Sequence, residues 1–173
     1  MYRQLDRLSA LLAICSTALG CVFAVVMVVT LLLGVFYRYA LQSSLAWSDE
    51  VALLAFTWTV FLFTSVLVRG YGHVRVTFLL GLLPGPLVEV IERLNVLIVL
   101  VFAVIMVWVG YGFAEFTASQ VSPAIRYPLW LRNAALPVSG ALIVVHALVI
   151  LLRPGSLKHL VDPTTASEPD HGA

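Results

Sequence analysis

The side chains from which chemistry could be built are few in this sequence, and their spacing argues against most of it. Of four histidines, only His146 lies within a long apolar run, and no second histidine stands beside it there. A bis-histidine haem therefore has no ligand pair, and the expected role of His146 is helix packing or an interfacial contact. Cys15 and Cys21 sit six residues apart inside the first apolar run. That is neither a CxxC metal pair nor a disulfide frame, and both read as small apolar fillers. No P-loop, HExxH, GxSxG or dinucleotide fingerprint occurs, so no cofactor is expected and an enzyme is the remotest reading. Val109-Gly110-Tyr111-Gly112 matches the core of a potassium-channel filter. Such a filter is a loop after a short pore helix, between two spans. Here it ends an apolar run of full membrane length, with Trp108 where a Thr is expected. Small residues that let a neighbouring helix approach closely account for it better. Arg69-Gly70-Tyr71-Gly72 is weaker still, since it opens on an arginine.

Three polar and aromatic clusters remain. The first joins Arg38-Tyr39 to Ser44, Trp47, Asp49 and Glu50; the second joins Trp58 to Arg69, His73 and Arg75. The third is Ser122-Pro123-Ala124-Ile125-Arg126-Tyr127-Pro128-Leu129-Trp130, with Pro137 a little further on. Tyr37, Tyr39, Trp130 and Arg153 suit the aromatic and basic belt that anchors helix ends in the headgroups. Arg38 and Glu50 fall at facing ends of consecutive apolar runs, where a charge pair would set how those runs meet. Ser48 is positioned to cap the second helix, with Asp49 and Glu50 in its first turn.

The elements that hold these clusters follow from composition. The chain has 173 residues, 61% hydrophobic and 11% charged, with a mean hydropathy of +1.02. A soluble core of this size could not cover so much apolar surface, so the bilayer must solvate the remainder. A net charge of +1 gives no basic field for nucleic acid. Charge-free stretches between Arg7 and Arg38, Glu50 and Arg69, Arg93 and Glu115, and Arg132 and Arg153 are each long enough to cross the hydrocarbon. The expectation is an all-α integral membrane protein: one four-helix domain over residues 1–160, with spans at about 10–36, 50–69, 93–114 and 133–152. The first run exceeds what a crossing needs and should tilt or extend. It is too long for a signal peptide and no small-x-small site follows it, so an uncleaved anchor is expected.

Arg3, Arg7, Arg69, Arg75, Arg93, Arg153 and Lys158 fall on one side of this topology, against Arg38, Arg126 and Arg132 on the other. That asymmetry places both termini in the cytoplasm. Val74 to Arg93, with its Pro84-Gly85-Pro86 turn, has the mixed composition of an amphipathic segment along the cytoplasmic interface. It should offset spans 2 and 3 laterally. Residues 161–173, rich in Pro, Thr, Ser and acids, read as a disordered cytoplasmic tail. The midspans carry no Asp, Glu, Lys or Arg, so a complete ion-coupled carrier is not expected.

In order and spacing, several of these elements resemble the small membrane subunit of tripartite ATP-independent periplasmic (TRAP) transporters, the DctQ-like family. They are Arg38-Tyr39 with Ser44-Leu45-x-Trp47-Ser48-x-Glu50, then Trp58, then His73-Val74-x-Val76, then Ser122-Pro123-Ala124-Ile125-x-x-Pro128-x-Trp130 leading to Pro137. The resemblance covers roughly Leu8 to Leu152 and departs at Thr77, where the family commonly has an acid. It implies a multi-pass scaffold subunit of the bacterial inner membrane, partnered by lipids, a large multi-spanning subunit and a periplasmic solute-binding protein. Sodium symport of an organic acid would be the work of the large subunit. In a scaffold of this kind, Arg38, Trp47 and Glu50 are expected to organise the periplasmic end of spans 1 and 2. Arg69, His73 and Arg75 would anchor the cytoplasmic end, and Ser122, Pro123, Pro128 and Pro137 would shape the last periplasmic connection. The alternatives are the small subunit of a tricarboxylate-type tripartite system and a small channel oligomerised around Val109–Gly112.

Overall fold

In hydrocarbon a backbone amide finds no water, so each apolar run must close its own hydrogen bonds. The computed structural model describes residues 2–70 and 85–152. It contains α1 (Tyr2–Ala40), α2 (Ala46–Arg69), α3 (Gly85–Phe116), the single turn α4 (Trp130–Asn133) and α5 (Ala135–Leu151). Four stretches are long and apolar enough to span a membrane: Gln4–Ala40, Ala46–Arg69, Val90–Phe116 and Trp130–Leu151. The last is α4 and α5 together. Among the described residues the β structure is a single antiparallel bridge, Val121 to Pro128. The protein is thus an all-α membrane protein.

Small residues set the packing. Along α1 the buried positions Ser9, Ala13, Ser16 and Gly20 recur at steps of four and three, which aligns one narrow seam on a helix. α2 answers with Ser48, Ala52, Ala55 and Ser65. Where apolar burial gives no drive between helices, such side chains let backbones close up and gain dispersion contacts. A methyl added at Gly34 would stand 2.7 Å from the Ser48 hydroxyl, and one at Gly20 would stand 3.2 Å from the Phe63 ring. α3 packs broadly on α5, α5 packs on α2, and α2 and α3 share no broad interface. Val68, Ala103, Met106 and Ile143 form the buried core where these helices converge. The hydroxyls of Thr17, Thr30, Thr57, Thr59 and Thr64 each donate to the carbonyl four residues back. Their polarity is thereby absorbed within the helix.

Several boundaries differ from the sequence expectation. α1 has 39 residues, about 58 Å, so it outruns a hydrocarbon core of about 30 Å. Ser48 does not cap α2: the cap position is Leu45, without a side-chain bond. The Ser48 hydroxyl instead donates to the Leu45 carbonyl at 2.9 Å. It is buried because Gly34 leaves it room. Residues 85–93 are the first turns of α3, continuous with the third span, so the part of the expected interfacial segment that can be described is not a separate element. The rest of that segment, His73, Arg75 and the tail 161–173 lie outside the described residues. The fourth crossing is broken at Ala134. Pro137 has no N–H to offer the Asn133 carbonyl, and it sits in the first turn of α5, where that loss is best tolerated.

Gly110 is a close approach of α3 to α5. A methyl there would lie 2.9 Å from both the Cδ and the backbone nitrogen of Pro137, whereas one at Gly112 would meet nothing within 4 Å. The expected close helix contact thus belongs to Gly110 and not to Gly112. Gly110→Ala should destabilise the detergent-solubilised protein by about 1–3 kcal/mol through overpacking. Gly112→Ala should be neutral or stabilising by up to about 1 kcal/mol, from helix propensity alone. Equal thermal shifts for the two variants would contradict the packing.

Candidate functional site

The polar side chains form two clasps. One lies at the terminal end of the bundle, where α1 begins and α2 and α5 finish; the other lies at the loop end, where residues 41–45 and 117–129 connect the helices.

At the loop end, residues 121–128 close on themselves. The Ser122 N–H donates to the Tyr127 carbonyl at 2.9 Å, and the Leu129 N–H to the Gln120 carbonyl at 2.9 Å. Between these bonds the backbone turns through Arg126 with φ 63°, a left-handed conformation that a side chain with a Cβ adopts at a cost of about 1–2 kcal/mol. The turn leaves successive amides pointing the same way, a concavity suited to an anion. Glu50, from the first turns of α2, fills it. Its carboxylate accepts from the Ala124 N–H at 2.7 Å, the Ile125 N–H at 2.9 Å and the Ser122 hydroxyl at 2.8 Å. Charge-assisted bonds of this kind are stronger than neutral ones. The carboxylate thus replaces the solvent or ion the loop would otherwise need.

The expected Arg38–Glu50 pair is not formed. Arg38 is exposed in the last turn of α1 and makes no ion pair with Glu50. A carboxylate offered two backbone donors and a hydroxyl in a preformed loop needs no long, mobile arginine. Trp47 is half-exposed in the first turn of α2, and Pro123 is exposed in the loop. Pro128 is the bridge partner of Val121. Beneath the loop, buried Asn133 donates from Nδ2 to the Thr117 hydroxyl at 2.8 Å, and Thr117 donates to the Phe113 carbonyl at 2.9 Å. These bonds tie α4 to the end of α3.

Trp58 joins the two halves in the body of the bundle. Its ring stacks on Phe23 of α1, with centroids 5.8 Å apart and planes 17° from parallel. Its indole N–H donates to the Leu131 carbonyl of α4 at 3.0 Å. One side chain therefore spans α1, α2 and the broken start of the fourth crossing.

At the terminal end, Arg69 closes α2. Its guanidinium donates to the Ser9 hydroxyl, to the Asp6 carbonyl at 3.4 Å and to the Asp6 carboxylate at 3.5 Å. Ser9 also lies 2.7 Å from Nδ1 of His146 on α5. Ser9 and His146 have no exposed surface at all. A hydroxyl has one hydrogen; with Arg69 donating to its oxygen, that hydrogen is left for Nδ1. Charge, hydroxyl and imidazole thus pin α2, α1 and α5 in one line. Sequence reasoning gave Arg69 an anchoring role and His146 a packing role, but did not place Ser9. The available signal was that all three lie near a charged boundary at the same end of the topology.

Within the described residues, no group of three or more His, Cys, Asp or Glu could hold a metal ion. Val109 to Gly112 lie inside α3, so their carbonyls belong to a helical ladder and not to a pore-lining loop.

No curated protein matches the chain. The family model for the DctQ component of tripartite ATP-independent periplasmic transporters matches residues 27–155, a stretch that holds the Glu50 clasp, Trp58, Arg69 and His146. With more than half its length matched and four membrane-spanning helices, this chain belongs to the DctQ family and is a small subunit of a TRAP transporter in the inner membrane.

Proposed function

We propose that the chain is the static scaffold subunit of a sodium-coupled TRAP transporter that imports an organic acid. In this reading it is assembled with a large multi-spanning subunit and served by a periplasmic solute-binding protein, and its termini lie in the cytoplasm. One observation carries the reading: the polar groups described above tie helices to one another at the bundle's ends. Transporter sites near the midplane use unwound backbone and inward-facing oxygens to hold ions and anions. Here the midspan threonines bond back to their own helices. Substrate and sodium sites are accordingly assigned to the large subunit, and rigidity to this one. The loop end, with its Glu50-braced turn, then faces the periplasm and the docking binding protein.

The test is purification from native membranes through a tag on this chain, followed by reconstitution. A stoichiometric, much larger polytopic protein should be retained. Liposomes holding both membrane subunits should take up solute only with the binding protein and an inward sodium gradient. Recovery of this chain alone as a homo-oligomer, with ion flux of its own, would replace the scaffold with a channel.

A further inference from the structure

A trough of about 470 Å³ runs along α1 from Ala10 to Ala18, with Ala13, Ile14 and Thr17 between them and Arg69 of α2 as the charged residue on its wall. Small side chains leave the hollow, and the Thr17 hydroxyl is already spent on the Ala13 carbonyl at 2.8 Å. The trough is about 12 Å long, close to one leaflet's share of a hydrocarbon core of about 30 Å. Arg69 stands at the Ala10 end, because its guanidinium reaches Asp6 and Ser9.

That end of the trough is cationic. A guanidinium has five N–H donors in a planar fork. Arg69 spends three of them on Ser9 and Asp6, so two remain, and its side chain keeps 27% of its surface exposed. Arg7 is exposed and makes no ion pair among the described residues. It precedes Ile14 by seven residues and Ala18 by eleven, separations that return it to the helix face flooring the trough. Two arginines against the carboxylate of Asp6 leave one positive charge at the mouth. Acyl chains fill any hollow on a bilayer-facing helix, so what this one can select is the group above the chain. The complement of a cationic fork is a phosphodiester, which arginine binds through paired N–H groups. A headgroup with no cation of its own meets the two arginines without repulsion.

We propose that this trough binds an anionic phospholipid, its phosphate held between Arg7 and Arg69 and one acyl chain lying from Ala10 to Ala18. The site shares Arg69 with the Ser9–His146 clasp, so the bound lipid braces the same end of the bundle. It needs no partner subunit, and it stands or falls separately from the scaffold reading.

The test is native mass spectrometry of the full chain purified from native membranes, released from its assembly in the gas phase. Lipid adducts on the chain are counted after adding equal amounts of phosphatidylglycerol and phosphatidylcholine with matched acyl chains. Wild type should favour phosphatidylglycerol by roughly fivefold or more. Arg7→Gln leaves the Arg69 clasp in place and should bring that preference near unity. Ala18→Phe fills the trough from an exposed position without changing charge, and should lower occupancy by both lipids. Arg38→Gln removes an exposed cation at the other end of α1 and should change neither quantity. Equal binding of the two lipids by wild type would overturn the proposal. So would equal losses from Arg7→Gln and Arg38→Gln, which would mean diffuse attraction in place of a site. Undiminished adducts on Ala18→Phe would remove the trough as the seat of the acyl chain, and a second copy of this chain retained in place of lipid would give the surface to a dimer.

Discussion

Glu50→Ala is expected to release the 121–128 loop and, with it, transport. The substitution leaves two backbone amides and a hydroxyl without their shared acceptor. Arg126 is then held in its left-handed conformation only by the loop's own Ser122–Tyr127 and Gln120–Leu129 backbone bonds. Hydrogen exchange should report this directly, with the amides of Ala124 and Ile125 exchanging faster by roughly an order of magnitude. Glu50→Gln keeps the length and one good acceptor oxygen but turns an NH2 group toward the donors, so its exchange should be intermediate. Arg126→Gly in the Glu50→Ala background removes the steric cost of the turn and should recover part of the protection. Solute uptake by the assembled transporter should fall in the same order, with Arg38→Ala close to wild type. Equal losses from Arg38→Ala and Glu50→Ala would restore the charge-pair reading that the structure replaces. Wild-type exchange in Glu50→Ala would show that the loop holds itself.

Removing the hydroxyl of Ser9 should unfasten the opposite end. Ser9→Ala strips the buried Nδ1 of His146 of its partner and removes an acceptor from Arg69, a cost of about 1–3 kcal/mol. His146→Ala adds a cavity in a site with no exposed surface and should cost about 2–4 kcal/mol. Because both remove the same contact, the double variant should cost less than the two separate losses combined, a coupling that thermal melts in detergent can measure. Strict additivity would mean that the line from Arg69 to His146 is three neighbours and not one clasp. Trp58, which stacks on Phe23 and bonds to α4 independently, should keep the upper bundle together in these variants. The damage is therefore expected as local opening at the terminal end.

The four crossings were legible because each is a charge-free run bounded by Arg or Glu, and in lipid such a run has only one way to satisfy its backbone. The close approach at Gly110 was legible as a small residue in an apolar helix. Glu50, Trp58, Ser122 and Pro137 were singled out by order and spacing, and each makes a contact between elements. What each contacts was not legible. Arg38 and Glu50 look like partners along the chain because they are near in sequence and opposite in charge. The carboxylate is instead met by a loop more than seventy residues away, whose donors are backbone amides that no residue letter displays.

Ser9, Arg69 and His146 show the same division. Each letter says only that a polar group stands near the end of an apolar run. That the three align depends on α1, α2 and α5 packing side by side, through seams of serine, alanine and glycine narrow enough to bring the side chains within bonding distance. By itself the sequence determined which segments enter the membrane, because hydropathy and charge act residue by residue against the bilayer. Only the tertiary structure decided which polar groups meet, because a hydrogen bond depends on distances that helix packing and one broken helix at Ala134 set together.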